Sequence, residues 1–460
     1  MSIIELNLKD ENQNMVINIK NKEIYGDVPT PYSLIEKIFN LFPENLFKNP
    51  NLVWLDPCVG KGYFAIYLFH KLYNNLCVSF PNSEDRKQHI LKNMIFMCEI
   101  NSEYYDDLYN IFGKDCNLYC GDFFSFNGNF DIILGNPPFN INGFIKTPTN
   151  NNLNKKHDGQ NAWFEFIKHS ISLLKNNGIL NFIVPSLWLR PDRNKVYNYM
   201  FQFDINKINC MTNTETNNVF NGNAQTPTCF FLLTKRKNKN KLDVFDPKLK
   251  KYIYYPCNFG GMIPVHSVSV FLKMKQYVDK YGSVKIRKTN VPNNKIVFSK
   301  TETTLYKYKN ISTCKLRNIG KNKEETYIEY NYSDKPSDFY KTEKLVLAHK
   351  MYGFPFYDKD GSYGISKRDN YIITDQTSHH FYRLGKFLST KFIRYVFEGS
   401  RYRMKYIDRH VFDCIPDITK IPNFPEEITD INVYNFFKLT SKEVKVIDNF
   451  YKKYYKTFYD

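Results

Sequence analysis

The stretch Trp54-Leu-Asp-Pro-Cys-Val-Gly-Lys-Gly-Tyr-Phe64 joins an apolar run to a helical one through two glycines. Leu52 to Leu55 read as a strand and Tyr63 to Tyr73 as a helix. Between them Gly60 and Gly62 let the backbone turn sharply and approach a ligand closely, while the helix N-terminus presents unpaired N–H groups to a carboxylate or phosphate. A strand, a glycine turn and a helix in that order predict a doubly wound α/β sheet. The turn is not a phosphate-cradling G-x-x-x-x-G-K loop, because no glycine stands five residues before Gly60.

Working outward, short apolar runs alternate with helical stretches from residue 50 to 235, the rhythm of α/β proteins. The further strands read as Ile95 to Cys98, Asn117 to Cys120, Phe130 to Leu134, Ile179 to Val184, Ile205 to Met211 and Cys229 to Thr234, with helices at Ser102 to Phe112 and Asn161 to Lys175. A charged insertion at Ser83 to Lys92 and a Gly-, Asn- and Lys-rich stretch from Asn140 to Gln160, expected to be a mobile loop, interrupt the rhythm. Glu99 ends the second strand, where a carboxylate can accept from ribose hydroxyls; Asp122 ends the third and can accept from the exocyclic amine of an adenine. Either acid can instead cap the segment that follows it.

The fourth strand, Phe130-Asp-Ile-Ile-Leu-Gly, runs into Asn136-Pro137-Pro138-Phe139. Two prolines stiffen this end and remove two N–H donors, leaving carbonyls that only accept. The Asn136 side-chain oxygen and the Pro137 carbonyl together form a double acceptor for an exocyclic aryl amine. Accepting from both of its N–H bonds pulls the nitrogen toward tetrahedral geometry and frees a lone pair that is otherwise delocalised into the ring. Phe139 supplies an aromatic face for a base taken out of its stack.

The chain of 460 residues is long enough for two domains. Its 42% hydrophobic and 24% charged content is that of a folded protein, and a net charge of +18 attracts polyanions. The start MSIIELNLKDENQN lacks the features of a signal peptide, and no run of about 18 apolar residues occurs, so a soluble, intracellular protein is expected and a membrane partner is not. Ten cysteines without C-x2-C spacing argue for reduced thiols and against a metal site, Cys116 and Cys120 included. The run Lys235-Arg-Lys-Asn-Lys-Asn-Lys241 reads as a solvated linker, which places a catalytic domain at residues 1–240 and a second domain at 241–460. In the second domain Phe381 to Arg409 carries eight Lys or Arg against two acids, interleaved with Phe and Tyr. Arg394, Arg401, Arg403 and Lys405 are its candidate phosphate contacts, although a basic helix from Gly385 to Phe397 can equally be solvating its outer face.

Taken together these motifs resemble the gamma-type N6-adenine methyltransferases of restriction-modification systems. The resemblance implies a Rossmann-like domain that binds S-adenosylmethionine, followed by an α+β target recognition domain that reads DNA. Tyr25-Gly-Asp-Val-Pro-Thr-Pro31 looks like the family's N-terminal cofactor motif, which brings in Thr30 and Pro31. Asp56, Pro57, Gly60, Gly62 and Phe64 match its main cofactor motif, and Glu99 and Asp122 its two acidic positions. Asn136, Pro137, Pro138 and Phe139 match the catalytic tetrapeptide, and Phe220 falls where the family places a second aromatic against the flipped base. Lys344 to Lys350 and Asp358 to Tyr363 loosely resemble segments of the recognition domains. Val59 and Lys61 depart from the smaller residues expected beside the glycine. The resemblance leaves the oligomeric state open, a monomer included. Modification of a protein glutamine amide, N6 methylation of RNA, and a catalytically dead specificity subunit remain as alternatives.

Overall fold

The computed structural model describes residue 3 and residues 18–142, 160–192, 195–256, 261–290, 292–321, 323–349, 354–368, 370–402, 406–451 and 454–458. The chain divides into two compact units: one runs to Val244 and takes in Pro256, the other takes Phe245–Tyr255 and the described residues from 261 onward. Most of the stretch expected to be a mobile loop, residues 143–159, lies outside the described residues.

In the first unit, helices α1 (Ile19–Tyr25) and α2 (Tyr32–Phe39) precede the sheet. Strands β1 (Trp54–Asp56), β2 (Ile95–Glu99), β3 (Asn117–Cys120) and β4 (Phe130–Gly135) follow, separated by α3 (Tyr63–Asn75), α4 (Ser83–His89) and α5 (Tyr105–Phe112). The charged insertion is thus helical, capped by Asn82, whose side chain accepts from Glu84 and Asp85 N–H groups. A two-residue pair of strands, β5 (Asn140–Ile141) and β6 (Gln160–Asn161), leads into α6 (Trp163–Leu173) and the long β7 (Leu174–Pro185). Then come α7 (Val196–Met200), β8 (Phe203–Met211), α8 (Asn213–Val219) and β9 (Thr228–Lys237), followed by β10 (Lys241–Asp246) and β11 (Lys251–Pro256), whose residues 245–255 are counted with the second unit.

These strands form one large sheet in the order β11-β10-β8-β9-β7-β4-β1-β2-β3. The neighbours β1, β2, β3, β4 and β7 pair in parallel, whereas β9 runs antiparallel to both β7 and β8. The apolar runs of β1, β2 and β4 are buried, as strands covered on both faces must be. The chain leaves β1 toward β2 and β3, then returns on the other side of β1 as β4. The strand order therefore reverses between β1 and β4, and a crevice opens there beyond their carboxyl ends. The glycine turn and Asn136 lie at those two ends.

The basic run at 235–241 is not a linker. β9 extends through Lys237 and β10 begins at Lys241, so the run is two strand ends and a turn through Asn238 and Asn240. Charge does not prevent pairing here because Arg236 meets the buried Asp204 at 2.6 Å.

The second unit combines two antiparallel-rich sheets with helices. One sheet has the order β12 (Arg287–Lys288), β19 (Asn370–Ile373), β16 (Lys344–Ala348), β17 (Phe356–Asp358). The other joins β13 (Phe298–Ser299), β15 (Lys323–Ser333), β14 (Tyr308–Gly320) and β18 (Gly364–Ile365), with β20 (Tyr454–Lys456) on β15. Helices α9 (Val268–Tyr281), α10 (Ser378–Ser389), α11 (Lys391–Gly399), α12 (Asp430–Phe436) and α13 (Ser441–Phe450) complete it.

Candidate active site

At the end of β1 the chain turns through Gly60 and Gly62, whose φ values of +52° and +88° lie in the left-handed region that glycine adopts without strain. The Val59 N–H donates to the Cys98 carbonyl at 3.0 Å and ties the turn to β2. Gly62 opens α3, and a Cβ on it would stand 3.1 Å from the Phe112 ring, so α5 packs where only glycine fits. Glu99 completes the turn: its Oε2 accepts from Gly60 N–H at 2.7 Å and its Oε1 from Asn101 N–H at 2.8 Å. Burial raises the Glu99 carboxyl above its ordinary value, the two N–H groups oppose that, and nearby Asp27 raises it further. Glu99 therefore holds the turn by accepting from both N–H groups, and it also lines a cavity.

Asn136 leaves β4 beside this turn. Its Nδ2 donates to the Val28 carbonyl at 3.2 Å and to Thr30 Oγ1 at 3.1 Å. A carbonyl can only accept, so this contact settles which end of the amide is nitrogen. The other end, Oδ1, is buried and has no partner among the described residues. Thr30 is itself buried. Gly26, which ends α1 with φ +71°, lets the N-terminal segment lie against this loop: a Cβ there would collide with the Asn140 carbonyl and the Pro138 ring. Gly26 lies within the N-terminal motif quoted from the sequence, and its positive φ is the helix C-cap conformation that glycine adopts.

Asp56 lies beneath the site, 5% exposed, with Oδ1 accepting from Cys58 N–H at 3.2 Å. Burial above all pushes its carboxyl up to about 7, with the Cys58 N–H opposing and Glu99 adding to the rise. Since this value lies above the ordinary 3.8, the stability it contributes is complete at low pH and is lost as pH rises through about 7. Asp56→Asn removes that loss. We expect its melting temperature relative to wild type to be higher at pH 8 than at pH 5, by thermal denaturation; a pH-independent difference would contradict this. The Cys58 thiol is likewise pushed well up by burial, against which the Asn136 backbone N–H acts as a hydrogen-bond donor.

A cavity of about 330 Å³ opens beside these groups. Of the residues singled out from sequence, Thr30, Pro57, Gly60, Phe64, Glu99, Asp122, Asn136 and Pro138 line it, whereas Pro31, Asp56, Gly62, Pro137, Phe139 and Phe220 are not among its lining. Pro31 instead precedes α2 as its N-cap, and Phe139 packs half-buried against the core. Asp122 is exposed and caps the next turn by accepting from Phe124 N–H at 3.0 Å while it faces the cavity. Sequence reasoning missed Asp27, Asn101, Tyr104, Phe124 and Phe166 on its walls. The Tyr104 hydroxyl donates to Asp27, and the Phe124 and Phe166 rings meet edge to face at 5.0 Å. Phe166 comes from α6, which nothing in the local sequence ties to the end of β3.

Phe220 is 4% exposed within the hydrophobic core, so its ring presents no free face to a base. In the basic segment two of the candidate phosphate contacts already have partners. The Arg394 guanidinium lies over Phe354 at 4.5 Å and Tyr451 at 4.0 Å, a cation–π arrangement with two rings. Arg401 pairs at 2.5 Å with the buried Glu398. Both cations thus have partners within the second unit; Arg403 and Lys405 lie outside the described residues. We expect Arg401→Ala to lower stability by on the order of 3 kcal/mol, because it strands the Glu398 charge. It should leave the salt dependence of any polyanion binding unchanged; a stable variant with a shallower salt slope would restore Arg401 as a phosphate contact. The segments beginning at Lys344 and Asp358 also meet one another: Lys344 Nζ, fully buried, reaches Asp358 at 2.5 Å and the Tyr363 carbonyl at 2.6 Å. Among the described residues no group of His, Cys, Asp and Glu could hold a metal ion, and no helix is long and apolar enough to cross a membrane.

With this geometry in hand, comparison with known proteins is informative. Residues 53–220 match the Eco57I restriction-modification methylase family model. The match begins one residue before β1 and ends just after α8, taking in the glycine turn, Glu99, Asp122 and the tetrapeptide. Over 90 residues, 19% of this chain and 21% of the relative, the chain is 31% identical to an uncharacterized adenine-specific methylase of Mycoplasma pneumoniae. Over 170 residues, 36% of this chain and 39% of the relative, it is 29% identical to the modification methylase CviBIII of Paramecium bursaria Chlorella virus NC1A. The chain thus spans less than half the length of these curated relatives. Among solved structures, the type IIG restriction endonuclease BpuSI aligns over 93% of this chain and 65% of its own, with 11% identity and a TM-score of 0.43.

Proposed function

We propose that this chain transfers the methyl group of S-adenosylmethionine to the exocyclic N6 of adenine in DNA. The observation that carries this reading is the Asn136 amide, whose nitrogen is fixed by Val28 and Thr30 and whose buried oxygen is left with no donor, at the rim of a cavity beyond the ends of β1 and β4. A buried acceptor without a partner costs about 1–3 kcal/mol, and a substrate amine supplies the missing donor.

The cavity fits the cofactor. Asp27, Glu99 and Asp122 face it and complement a molecule that carries a sulfonium and an ammonium, and Phe124 and Phe166 offer aromatic surface to a purine. When bound, the cofactor supplies an electrophilic methyl group. The chain's own part is to bind and orient. Glu99 accepts from ribose hydroxyls with the lone pairs that Gly60 and Asn101 leave available. Asn136 Oδ1 and the Pro137 carbonyl accept from the two N–H bonds of the target amine and direct its lone pair; the nitrogen sheds its extra proton to solvent after transfer. A duplex base reaches this site only by leaving its stack.

DNA is favoured over protein as substrate by the +18 charge and by a second unit of about 200 residues, which we take to be the target recognition domain behind a Rossmann-like catalytic domain. The relative named as an adenine-specific methylase supports the choice of base. Incubation of plasmid DNA with the cofactor, followed by digestion to nucleosides, tests it. N6-methyldeoxyadenosine is expected; N4-methyldeoxycytidine in its place would contradict the choice of adenine.

A further inference from the structure

In the second unit the run Lys285-Ile-Arg-Lys288 ends in β12, the edge strand of its sheet, and Lys285, Arg287 and Lys288 are all exposed. Far along the chain, Lys367 and Arg368 are exposed on the turn between β18 and β19. The fold brings the two runs together. β12 pairs antiparallel with β19, Lys288 opposite Tyr371. Thr289, only 6% exposed, fastens the next turn: its N–H donates to the Asn370 carbonyl at 2.9 Å and its Oγ1 to the Lys367 carbonyl at 3.0 Å, while Oγ1 accepts from Asn370 N–H at 3.0 Å. Asp375 meets Arg287 at 3.1 Å, with side chains 77% and 64% exposed, and Asp369 belongs to the turn but lies outside the described residues. So exposed an ion pair contributes about 0–1 kcal/mol, and the Arg287 guanidinium can exchange Asp375 for another anion. β12 buries neither of its side chains, whereas β19 buries all four, so packing does not account for the cations. A lysine on an edge strand guards against pairing with another chain. That accounts for β12, and not for Lys367 and Arg368 on a turn.

We propose that this edge, formed by Lys285, Arg287, Lys288, Lys367 and Arg368, is a surface that contacts the phosphates of duplex DNA. The inference rests on the reading of DNA as the substrate, and it puts the phosphate contacts away from the segment that the sequence suggested. Lysine and arginine side chains offer hydrogen-bond donors only, which suits an unbroken row of phosphate oxygens. Contacts of this kind fix where a duplex lies and carry no sequence information. The edge therefore sets affinity and its dependence on salt, and the choice of bases rests with other residues.

The test uses the full chain and a labelled duplex fragment of plasmid DNA, with affinity followed by fluorescence anisotropy over a salt series. The triple variant Lys285→Gln, Arg287→Gln, Lys367→Gln removes three exposed cations and leaves the backbone bonds to Thr289 in place, so its melting temperature should match wild type. A control, Lys315→Gln, Arg317→Gln, Lys335→Gln, removes the same charge from β14 and the turn after β15, where Lys315 and Arg317 face Glu329 and Glu325. Each lost duplex phosphate contact lowers the log–log salt slope by about 0.9, so the triple variant should lose about 2.7. Between about 50 and 200 mM salt the wild type should then lose about 40-fold more affinity than the triple variant does. Should the triple variant melt lower, Lys285→Gln with Lys367→Gln keeps the Arg287 pair and should still lower the slope by about 1.8. The control should keep the wild-type slope, and all the proteins should methylate the same sequences. An unchanged slope in the triple variant would overturn the proposal. So would an equal fall in the control, which makes the effect one of net charge, or a change in the sequences methylated, which makes these cations base readers. A wild type without salt-dependent binding would instead overturn the DNA reading beneath it.

Discussion

Asn136→Ala should abolish methyl transfer while leaving cofactor affinity within about twofold of wild type, a loss in turnover of at least ~100- to 1000-fold by analogy with removal of a single aligned hydrogen-bonding group from an active site. The separation follows from geometry. The amide nitrogen is spent on Val28 and Thr30, so the side chain has only the unpartnered Oδ1 to offer, the atom that the proposed function assigns to the target amine. Asn136→Asp is the sharper variant. It keeps an acceptor but cannot donate to the Val28 carbonyl, so it should lose most of the turnover as well, through loss of orientation. Single-turnover transfer and cofactor titration on the same preparations check this; affinity that falls as far as activity would move Asn136 into the cofactor site.

Glu99→Ala should weaken S-adenosylmethionine binding by about 10- to 100-fold, which corresponds to the 1.5–3 kcal/mol typical of hydrogen bonds to a charged group. It should also lower the melting temperature of the free protein, because the Gly60 and Asn101 N–H groups lose their acceptor. Glu99→Gln separates the two roles only in part, since one of its ends must turn an N–H toward a backbone N–H. Calorimetry and thermal denaturation together check the prediction. A destabilised protein that still binds the cofactor with wild-type affinity would make Glu99 a cap and nothing more.

The parts of the fold that are legible in the sequence are those decided locally. β1 to β4 are short apolar runs closed by Asp-Pro, Glu-Ile-Asn, Gly-Asp and Asn-Pro-Pro, and both the strand ends and the residues placed there follow from composition alone. The glycine turn is legible for the same reason: its two positive φ values are a backbone requirement that leaves a mark in residue type. What was misread depends on distant partners. Arg394 is basic in sequence, but its guanidinium lies against Phe354 and Tyr451, both far along the chain. Arg236 can enter a strand only because Asp204 is buried beside it. Phe220 is buried by the packing of the whole first unit, and no neighbour in sequence announces it. Asn101 was missed from sequence, because its place on the cavity wall is visible only when α1, β2 and the Asn136 loop are assembled.

The most direct measurement is methyl transfer from labelled S-adenosylmethionine to DNA, RNA and total protein offered in parallel, by wild type and by Asn136→Ala, with the acceptors hydrolysed and the methylated product identified. The expected result is label in DNA alone, recovered as N6-methyldeoxyadenosine, with none from the variant. Label recovered in a protein glutamine, or equal label from wild type and Asn136→Ala, would contradict the account.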